Sequence, residues 1–511
     1  LKKSKTMKIL TAEQIRATDG YTIAHEPIAS IDLMERAAGA CTNWITEYFS
    51  IETAFVIVCG MGNNGGDGLA IARQLITKGY RVETFIVPFF SKASDDFLSN
   101  KKRLEETPNA VIKEIKDADD IRTDIAHKNL MLIDAILGSG LSKPVEGKLA
   151  EVIQQVNSLN LPVIAIDIPS GLAMDDNTSF DKKNIIRASF TLTFETPKLS
   201  FLFVDNAEYV GEFSILDIGI DKKFLAEQPS SNYFVTEDMV SHMLKHRARF
   251  SHKGTFGHAL LIAGGYGKMG AATLAAKSCL RTGAGLVTTH IPKCGYEIMQ
   301  TSVPEAMVMV DEEEKEFSGI KDISNYNAIG IGPGIGTSEQ TAKGLKILIQ
   351  QASVNMVLDA DALNILSENK TWLAFIRPGS IITPHPGEFA RLAGKSDNSF
   401  EAYTNQREFA VKYGIYIVLK GAFTSIAMPT GEVYFNSTGN PGMATGGSGD
   451  TLTGIILGLL AQGYSPKEAS ILGVYIHGLA GDIAVEELGE NSLIAEDITN
   501  NLGKAFQYIG G

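Results

Sequence analysis

Cysteine is scarce in this 511-residue chain: Cys41, Cys59, Cys279 and Cys294 stand singly, with no CxxC pair and no histidine at zinc-ligand spacing. That pattern argues against a disulfide framework and a zinc knuckle and leaves ordinary reduced thiols as the expectation. No apolar run reaches the roughly 18 residues that cross a bilayer, so no membrane partner is expected. The basic start LKKSKT has no apolar stretch behind it of the kind a secretory signal needs. A cytoplasmic protein is the expectation; Met7 opens a natural-looking start, and residues 1–6 are set aside from fold reasoning. Positive charge is also short, with 46 Lys and Arg against 59 Asp and Glu and a formal net charge of −13. Such a chain repels a polyanion, so no nucleic-acid partner is expected. Small anions remain possible, because backbone N–H groups bind them without contributing net charge. The chain lacks the GxxxxGK[ST] phosphate loop, a short-period repeat and any low-complexity tract.

Hydrophobic residues make up 44% and charged residues 21%, the balance of a globular protein, and the length is too great for one ordinary core. In the first half, AFVIVCG, RVETFIVPF, NLMLIDAIL and LPVIAIDIPSG alternate with helix-like stretches such as LAIARQLITKG and LAEVIQQVNSL. That order predicts a parallel α/β sheet. The pattern relaxes into a polar stretch near residues 222–238, the expected linker, and a second alternating series begins at HALLIAGG. Two α/β domains are therefore expected, over residues 7–222 and 235–511. In open α/β sheets ligands bind beyond the carboxyl ends of the strands, which directs attention to the loops that follow each apolar run.

Two of those loops, GMGNNG at 60–65 and GYGKMG at 265–270, satisfy G-x-G-x-x-G. A dinucleotide-binding dehydrogenase would also carry an acidic residue about 20 positions later, at the end of the next strand. The next strands end TFIVPF and VTTHIP instead, so hydride transfer is disfavoured. The bland reading, glycines that merely permit tight strand-to-helix turns, stays open for each loop alone. NNGGDG at 63–68 is more specific: its glycines let N–H groups approach phosphate, and its Asn and Asp oxygens can hold a cation or hydroxyl. Asp134 in LIDAILGSGLSKP and Asp167 with Ser170 in VIAIDIPSG end two further strands, so three strand ends are expected to converge on one site. Helix capping is the competing role for any one of these acids.

Together CGMGNNGGDGLA, DAILGSG, IDIPSG and TFETPKLSFL resemble the epimerase domain of the NAD(P)H-hydrate repair enzymes, over about residues 7–220. The resemblance implies a Rossmann-like three-layer α/β/α sandwich. It also implies that Asn63, Asn64, Gly65, Gly66 and Asp67, with the loop Gly138, Ser139, Gly140, Leu141, Ser142, Lys143 and Pro144, bind the hydrated dinucleotide. By the same resemblance Asn64, Asp134 and Ser170 ligate potassium and Asp167 contacts the reacting ring. Oxygen ligands suit such a hard cation. Lys198 holds a phosphate or tunes the aspartate; a solvated surface lysine is the alternative.

TGGSGD followed by TLTGIILGLL makes a helix start with free N–H groups and a positive dipole end, fit to stabilise phosphate, with Asp450 placed as a general base on a hydroxyl. A plain helix cap is its competing role. The run NPGMATGGSGDTLTG is similar to the ATP- or ADP-dependent dehydratase of the same repair pathway, as are GHALLIAGGYGKMGAATLAAKSCLRTGAGLV, IGPGIG, LDADALN, TPHPGEFARL and LKGAFT, over about residues 235–508. That similarity implies a ribokinase-like α/β domain in which Lys420, Gly421, Ala422, Phe423, Thr424 and Gly449 bind ADP or ATP. Ala271, Gly334, His385 and Asp450 then face the hydrated dinucleotide, His385 having a packed loop residue as its alternative. Asp359 and Asp361 either position magnesium or cap the next helix. The family also implies a homo-oligomer. The rival readings are a ribokinase-like small-molecule kinase and a first half that serves only as a nucleotide-binding or scaffolding module.

Overall fold

The run AFVIVC is buried at every position, which a strand achieves only when both faces of its sheet are covered. It is the first of seven strands in the N-terminal unit: β1 (Ala54–Cys59), β2 (Arg81–Ile86), β3 (Val111–Glu114), β4 (Leu130–Ala135), β5 (Val163–Ile166), β6 (Phe190–Phe194) and β7 (Glu212–Leu216). The computed structural model describes residues 6–26, 28–122 and 129–510. Residues 1–5, Pro27, 123–128 and Gly511 lie outside that description. All six strand pairings are parallel and the order is β3-β2-β1-β4-β5-β6-β7. Phe55, Ile57 and Cys59 pack into one core and Val56 and Val58 into another, the period-2 alternation of a two-sided sheet. From β1 the chain builds outward to β2 and β3, then returns to add β4 on the other flank. The order thus reverses between β1 and β4, and a crevice opens at their carboxyl ends. Helices α1 (Ala12–His25), α2 (Ser30–Tyr48), α3 (Asn63–Thr77), α4 (Asp95–Glu105) and α5 (Gly147–Ser158) complete what this account needs of the unit.

The chain divides into two compact units, Lys8–Ser230 and Ser231–Gly511, with Met7 assigned to the second. The polar stretch read as a linker is not free. Residues Lys222–Glu227 form a helix of the first unit, and the strand β8 (Asn232–Phe234) joins the second unit's sheet. The apolar residues of NYF pair in register beside Val433–Phe435, which is why order resumes several residues before the alternating pattern does.

The second unit continues with β9 (His258–Ile262), β10 (Leu286–Ile291), β11 (Met307–Val310), β12 (Ala328–Ile331), β13 (Met356–Leu358), β14 (Ile381–Ile382), β15 (Tyr416–Leu419), β16 (Ser425–Ala427) and β17 (Val433–Phe435). From residue 232 onward the strand order is β8-β17-β16-β15-β14-β13-β12-β9-β10-β11. Strands β9 to β15 pair in parallel, and β16 runs antiparallel to both neighbours. Its helices include α6 (Met269–Arg281), α7 (Glu339–Gln351), α8 (Ala360–Glu368), α9 (Pro386–Ala393), α10 (Ser399–Tyr413), α11 (Ser448–Ala461), α12 (Pro466–Leu488) and α13 (Ala495–Tyr508). The helix α11, from Thr451 to Ala461, is buried on every side, as an all-apolar helix must be. A Cβ at Gly454 would lie 2.1 Å from the Ala275 carbonyl oxygen, so only glycine lets α11 approach α6 this closely.

Candidate active sites

A cavity of about 670 Å³ opens at the carboxyl ends of the N-terminal sheet. Asn63, Asn64 and Asp67 reach it from α3, Gly138 to Pro144 from the loop after β4, and Asp167 and Lys198 from the segments after β5 and β6. The three strand ends that carry the acidic motifs are neighbours in the sheet. Gly138 is the joint between them, since a Cβ there would lie 3.2 Å from Asn64 and 3.4 Å from the Asp167 carboxylate. Gly65 and Gly66 are absent from the cavity wall. A Cβ at Gly65 would sit 1.8 Å from the Gly60 carbonyl oxygen, so glycine is required there by the close turn, whereas one at Gly66 would meet the end of the Met34 side chain at 2.8 Å.

Asp167 adopts φ +66°, a left-handed conformation that is rare for a non-glycine residue and is stored at functional sites. Its Oδ1 lies 2.9 Å from Lys198 Nζ, and its Oδ2 accepts a 3.0 Å hydrogen bond from the Ser139 N–H. Burial pushes the Asp167 carboxyl up, but the Lys198 charge and the bonds from Lys198 and Ser139 outweigh it and hold the group below its ordinary value. The Lys198 side chain is only 1% exposed, so the surface-lysine alternative is excluded.

Asp134 is fully buried behind the cavity and accepts from Ser170 Oγ at 2.6 Å, from the Ser170 N–H at 2.8 Å and from the Ile136 N–H at 3.1 Å. Burial raises its pKa to about 6 against the pull of those bonds. Asn64 donates to the Leu137 carbonyl at 2.9 Å, while its Oδ1 is buried with no hydrogen-bond partner. Asp67 is held well above its ordinary pKa, first by burial and then by Asp167, Asp19 and Asp96.

In the C-terminal unit Asp450 occupies the first turn of α11, after Gly447 at φ +90°. Burial, then the Asp359 charge, raise its pKa to about 6, with Lys420 opposing. Asp359 sits at the N-cap position of α8 but makes no cap bond. Its oxygens go instead to Lys420 Nζ at 3.1 Å and to Thr453 Oγ1 at 2.8 Å. Asp361 accepts from the Gly336 N–H at 2.8 Å and pairs with Lys268 at 3.3 Å. Neither acid caps the helix. Gly449 lies beside this group, a Cβ there being 3.3 Å from Lys420 Nζ, and Gly334, at φ +68°, approaches Ala271 to 3.3 Å by the same measure. His385 caps α9 by accepting from the Gly387 N–H at 3.0 Å, yet its side chain is 52% exposed. It is therefore a cap with a free face rather than a packed loop residue. Gly421 and Thr424 close the KGAFT turn on themselves, Thr424 Oγ1 donating to the Gly421 carbonyl at 3.0 Å. Ala422 is exposed and Phe423 half-buried.

Residues 30–200 match the family model described as YjeF-related protein N-terminus, and residues 259–504 match the model described as NAD(P)H-hydrate dehydratase. The bifunctional NAD(P)H-hydrate repair enzyme Nnr of Moorella thermoacetica is 35% identical over 512 residues, covering 97% of this chain and 96% of that one. This chain belongs to the bifunctional NAD(P)H-hydrate repair enzymes. The repair enzyme of Escherichia coli is 33% identical over 475 residues, covering 92% and 88% respectively. Among solved structures, the ADP/ATP-dependent NAD(P)H-hydrate dehydratase from Bacillus subtilis, co-crystallized with ATP and Mg2+, is 33% identical, covers 54% of this chain and 98% of its own, and has a TM-score of 0.48.

Several wall residues of this repair enzyme escape a reading of its motifs. Arg16, Thr18 and Asp19 of α1 line the N-terminal cavity, and Thr453 and Glu388 enclose the C-terminal acid cluster, Glu388 at 4.0 Å from Lys420. The fully buried positions of α1 are Thr18 and Thr22, while Ala12, Ile15 and Ile23 pack partly buried against the core, so polar groups stand within its inner face. Among the described residues no group of three or more His, Cys, Asp or Glu side chains is arranged to hold a metal ion, and no helix is long and apolar enough to cross a membrane.

Proposed function

We propose that this chain restores hydrated NADH and NADPH: its N-terminal unit interconverts the R and S epimers, and its C-terminal unit dehydrates the S epimer with ADP or ATP as phosphoryl donor. The observation that carries the reading is Asp450, a carboxylate at the N-terminus of α11, set among Lys420, Asp359 and Gly449. The hydrate bears a hydroxyl at C6 next to the ring nitrogen, and hydroxide leaves poorly near neutral pH. Asp450 takes the hydroxyl proton as the terminal phosphoryl group transfers to that oxygen. The N–H groups of the helix start and Lys420 stabilise the charge on the moving group. The ring nitrogen then expels phosphate, and loss of a C5 proton returns the dihydropyridine. With ADP the products are AMP and phosphate; with ATP, ADP and phosphate. Ala271, Gly334 and His385 form the wall for the dinucleotide, and Lys420 to Thr424 with Gly449 hold the nucleotide. Magnesium supplies charge neutralisation on the nucleotide phosphates, and the carboxylates of Asp359 and Asp361 have the oxygen chemistry to hold it.

In the N-terminal unit, Asn63, Asn64, Asp67, Asp167, Lys198 and the loop Gly138 to Pro144 bind the hydrate. Gly65 gives the turn its shape. The Asn64 and Ser170 side chains both donate to the Leu137 carbonyl, and Ser170 also bonds Asp134. The unpartnered Asn64 Oδ1 offers an oxygen of the kind a potassium ion takes, and such an ion would lend that wall a positive charge facing an anionic dinucleotide. A homo-oligomer in the cytoplasm completes the reading. The experiment that tests it incubates the chain with the S hydrate, ADP and magnesium and follows both phosphate release and dihydronicotinamide absorbance. Stoichiometric release of phosphate with recovery of absorbance is expected. A stable phosphorylated product without recovery would establish the kinase reading instead.

A further inference from the structure

Helix α1 contributes Arg16, Thr18 and Asp19 to the same cavity that Asp167 and Lys198 enter from the sheet. Arg16 and Asp19 are three positions apart and so share one helix face. Asp19 is half-buried, and among the described residues no hydrogen bond or ion pair holds its carboxyl. A carboxyl that lines a ligand cavity with both oxygens unengaged is free to meet what enters. Asp167 is its opposite: both its oxygens are engaged, by Lys198 and by the Ser139 N–H.

We propose that Asp19 is a catalytic residue of the epimerase site, the proton donor to the C6 oxygen of the hydrate, working as a pair with Asp167 as the proton acceptor. This rests on the repair reading above. In the forward direction the Asp19 carboxylic acid gives its proton to the C6 hydroxyl as the C6–O bond breaks and the ring-nitrogen lone pair forms a C6–N double bond. The hydroxyl leaves as water. A second water adds to C6 from the other face, its electron pair forming the new C–O bond as the C6–N π pair returns to the ring nitrogen, and its proton passes to the Asp167 carboxylate. Proton exchange with solvent returns Asp19 to the acid and Asp167 to the base, and the reverse reaction uses the same groups. No oxidant, reductant or co-reactant other than water is needed.

The electrostatics of the cavity separate the two carboxyls in the sense this requires. Burial, then Asp167 and Glu195, raise Asp19 to about 6 against the pull of Lys198, whereas Asp167 is held below its ordinary value. Groups with one carboxyl pushed up and its neighbour held down are suited to divide acid and base duties. The charged groups that bear on Asp19 are Asp167, Lys198 and Glu195, with Arg16 on its own helix and Asp67 on α3 also in the cavity wall.

The test measures interconversion of purified R and S hydrates without nucleotide, across pH 5 to 9, for the full chain, Asp19→Asn and Asp19→Glu, with a circular-dichroism melt of each. The full chain should lose rate above a limb near pH 6, as the donor ionises. Asp19→Asn should lower the rate on the order of 10²- to 10⁴-fold and abolish that limb, and Asp19→Glu should restore part of the rate with the limb displaced. If Asp19→Asn keeps its rate, or if residual activity in both variants keeps the same limb, Asp19 is not the donor. If the full chain itself fails to interconvert the epimers, the repair reading of this unit falls, and the two failures are thereby distinguished.

Discussion

Lys198 Nζ and Asp167 Oδ1 meet at 2.9 Å beneath the N-terminal cavity, with the lysine side chain 1% exposed. The pair fixes the charge of Asp167, and its value depends on both partners being present. Removing one partner of a buried pair leaves an uncompensated charge, at a typical cost of about 3–5 kcal/mol. Lys198→Met should therefore lower the thermal midpoint and stop epimerisation together. Because the Asp167 pKa is depressed in the folded state, the stabilisation is present above the unfolded carboxyl pKa and is lost as pH falls through the folded value. The difference in unfolding midpoint between the parent and the variant, measured by calorimetry, should accordingly narrow in acid.

Asp450 carries the opposite sign. Its pKa is raised to about 6, chiefly by burial, so the ionised carboxylate strains the folded state at neutral pH and the strain disappears once pH falls below the unfolded value. Asp450→Asn should abolish dehydration while stabilising the chain by about 1–3 kcal/mol at pH 7.5. Chemical denaturation at pH 7.5 and at about pH 3, below the unfolded carboxyl pKa, checks both halves, since the gain should fall close to zero at the lower pH.

Lys420 opposes the rise of the Asp450 pKa and bonds Asp359 at 3.1 Å. Lys420→Met should move the acid limb of the dehydration rate to higher pH and weaken nucleotide binding. A pH–rate profile with saturating ADP separates the two effects, because only the displaced limb survives saturation.

Asn64 Oδ1 is buried without a partner. If it serves potassium, epimerisation should rise with potassium in the parent and lose that response in Asn64→Ala. Initial rates in potassium against an equal ionic strength of a bulky organic cation measure it; a parent indifferent to potassium would remove the ion from the site.

Much of this architecture is legible in the sequence because strand ends in a parallel sheet announce themselves. Asp134 and Asp167 follow runs of Val, Ile and Leu, and the sheet order places them beside the α3 turn as expected. Local rules fail where a distant partner wins. LDADALN reads as a helix start, and Asp359 does stand at the N-cap position, yet Lys420 and Thr453, far along the chain, take its carboxylate. Lys198 is ambiguous in TPK because nothing local says that it is buried; its burial follows from the packing around Asp167. Asp19 escapes for a different reason. It lies on a helix rather than a strand end, in a segment with no glycine turn, and its role emerges only when α1 closes one side of the cavity.

The most direct test of the whole account is recovery of the dihydronicotinamide absorbance from a mixture of R and S hydrates with ADP and magnesium, comparing the parent chain, Asp450→Asn and Asp167→Asn. The parent should restore both epimers, Asp450→Asn neither, and Asp167→Asn only the S fraction quickly, followed by the slow spontaneous interconversion. Rapid full recovery by Asp167→Asn, or any catalysed recovery by Asp450→Asn, would contradict it.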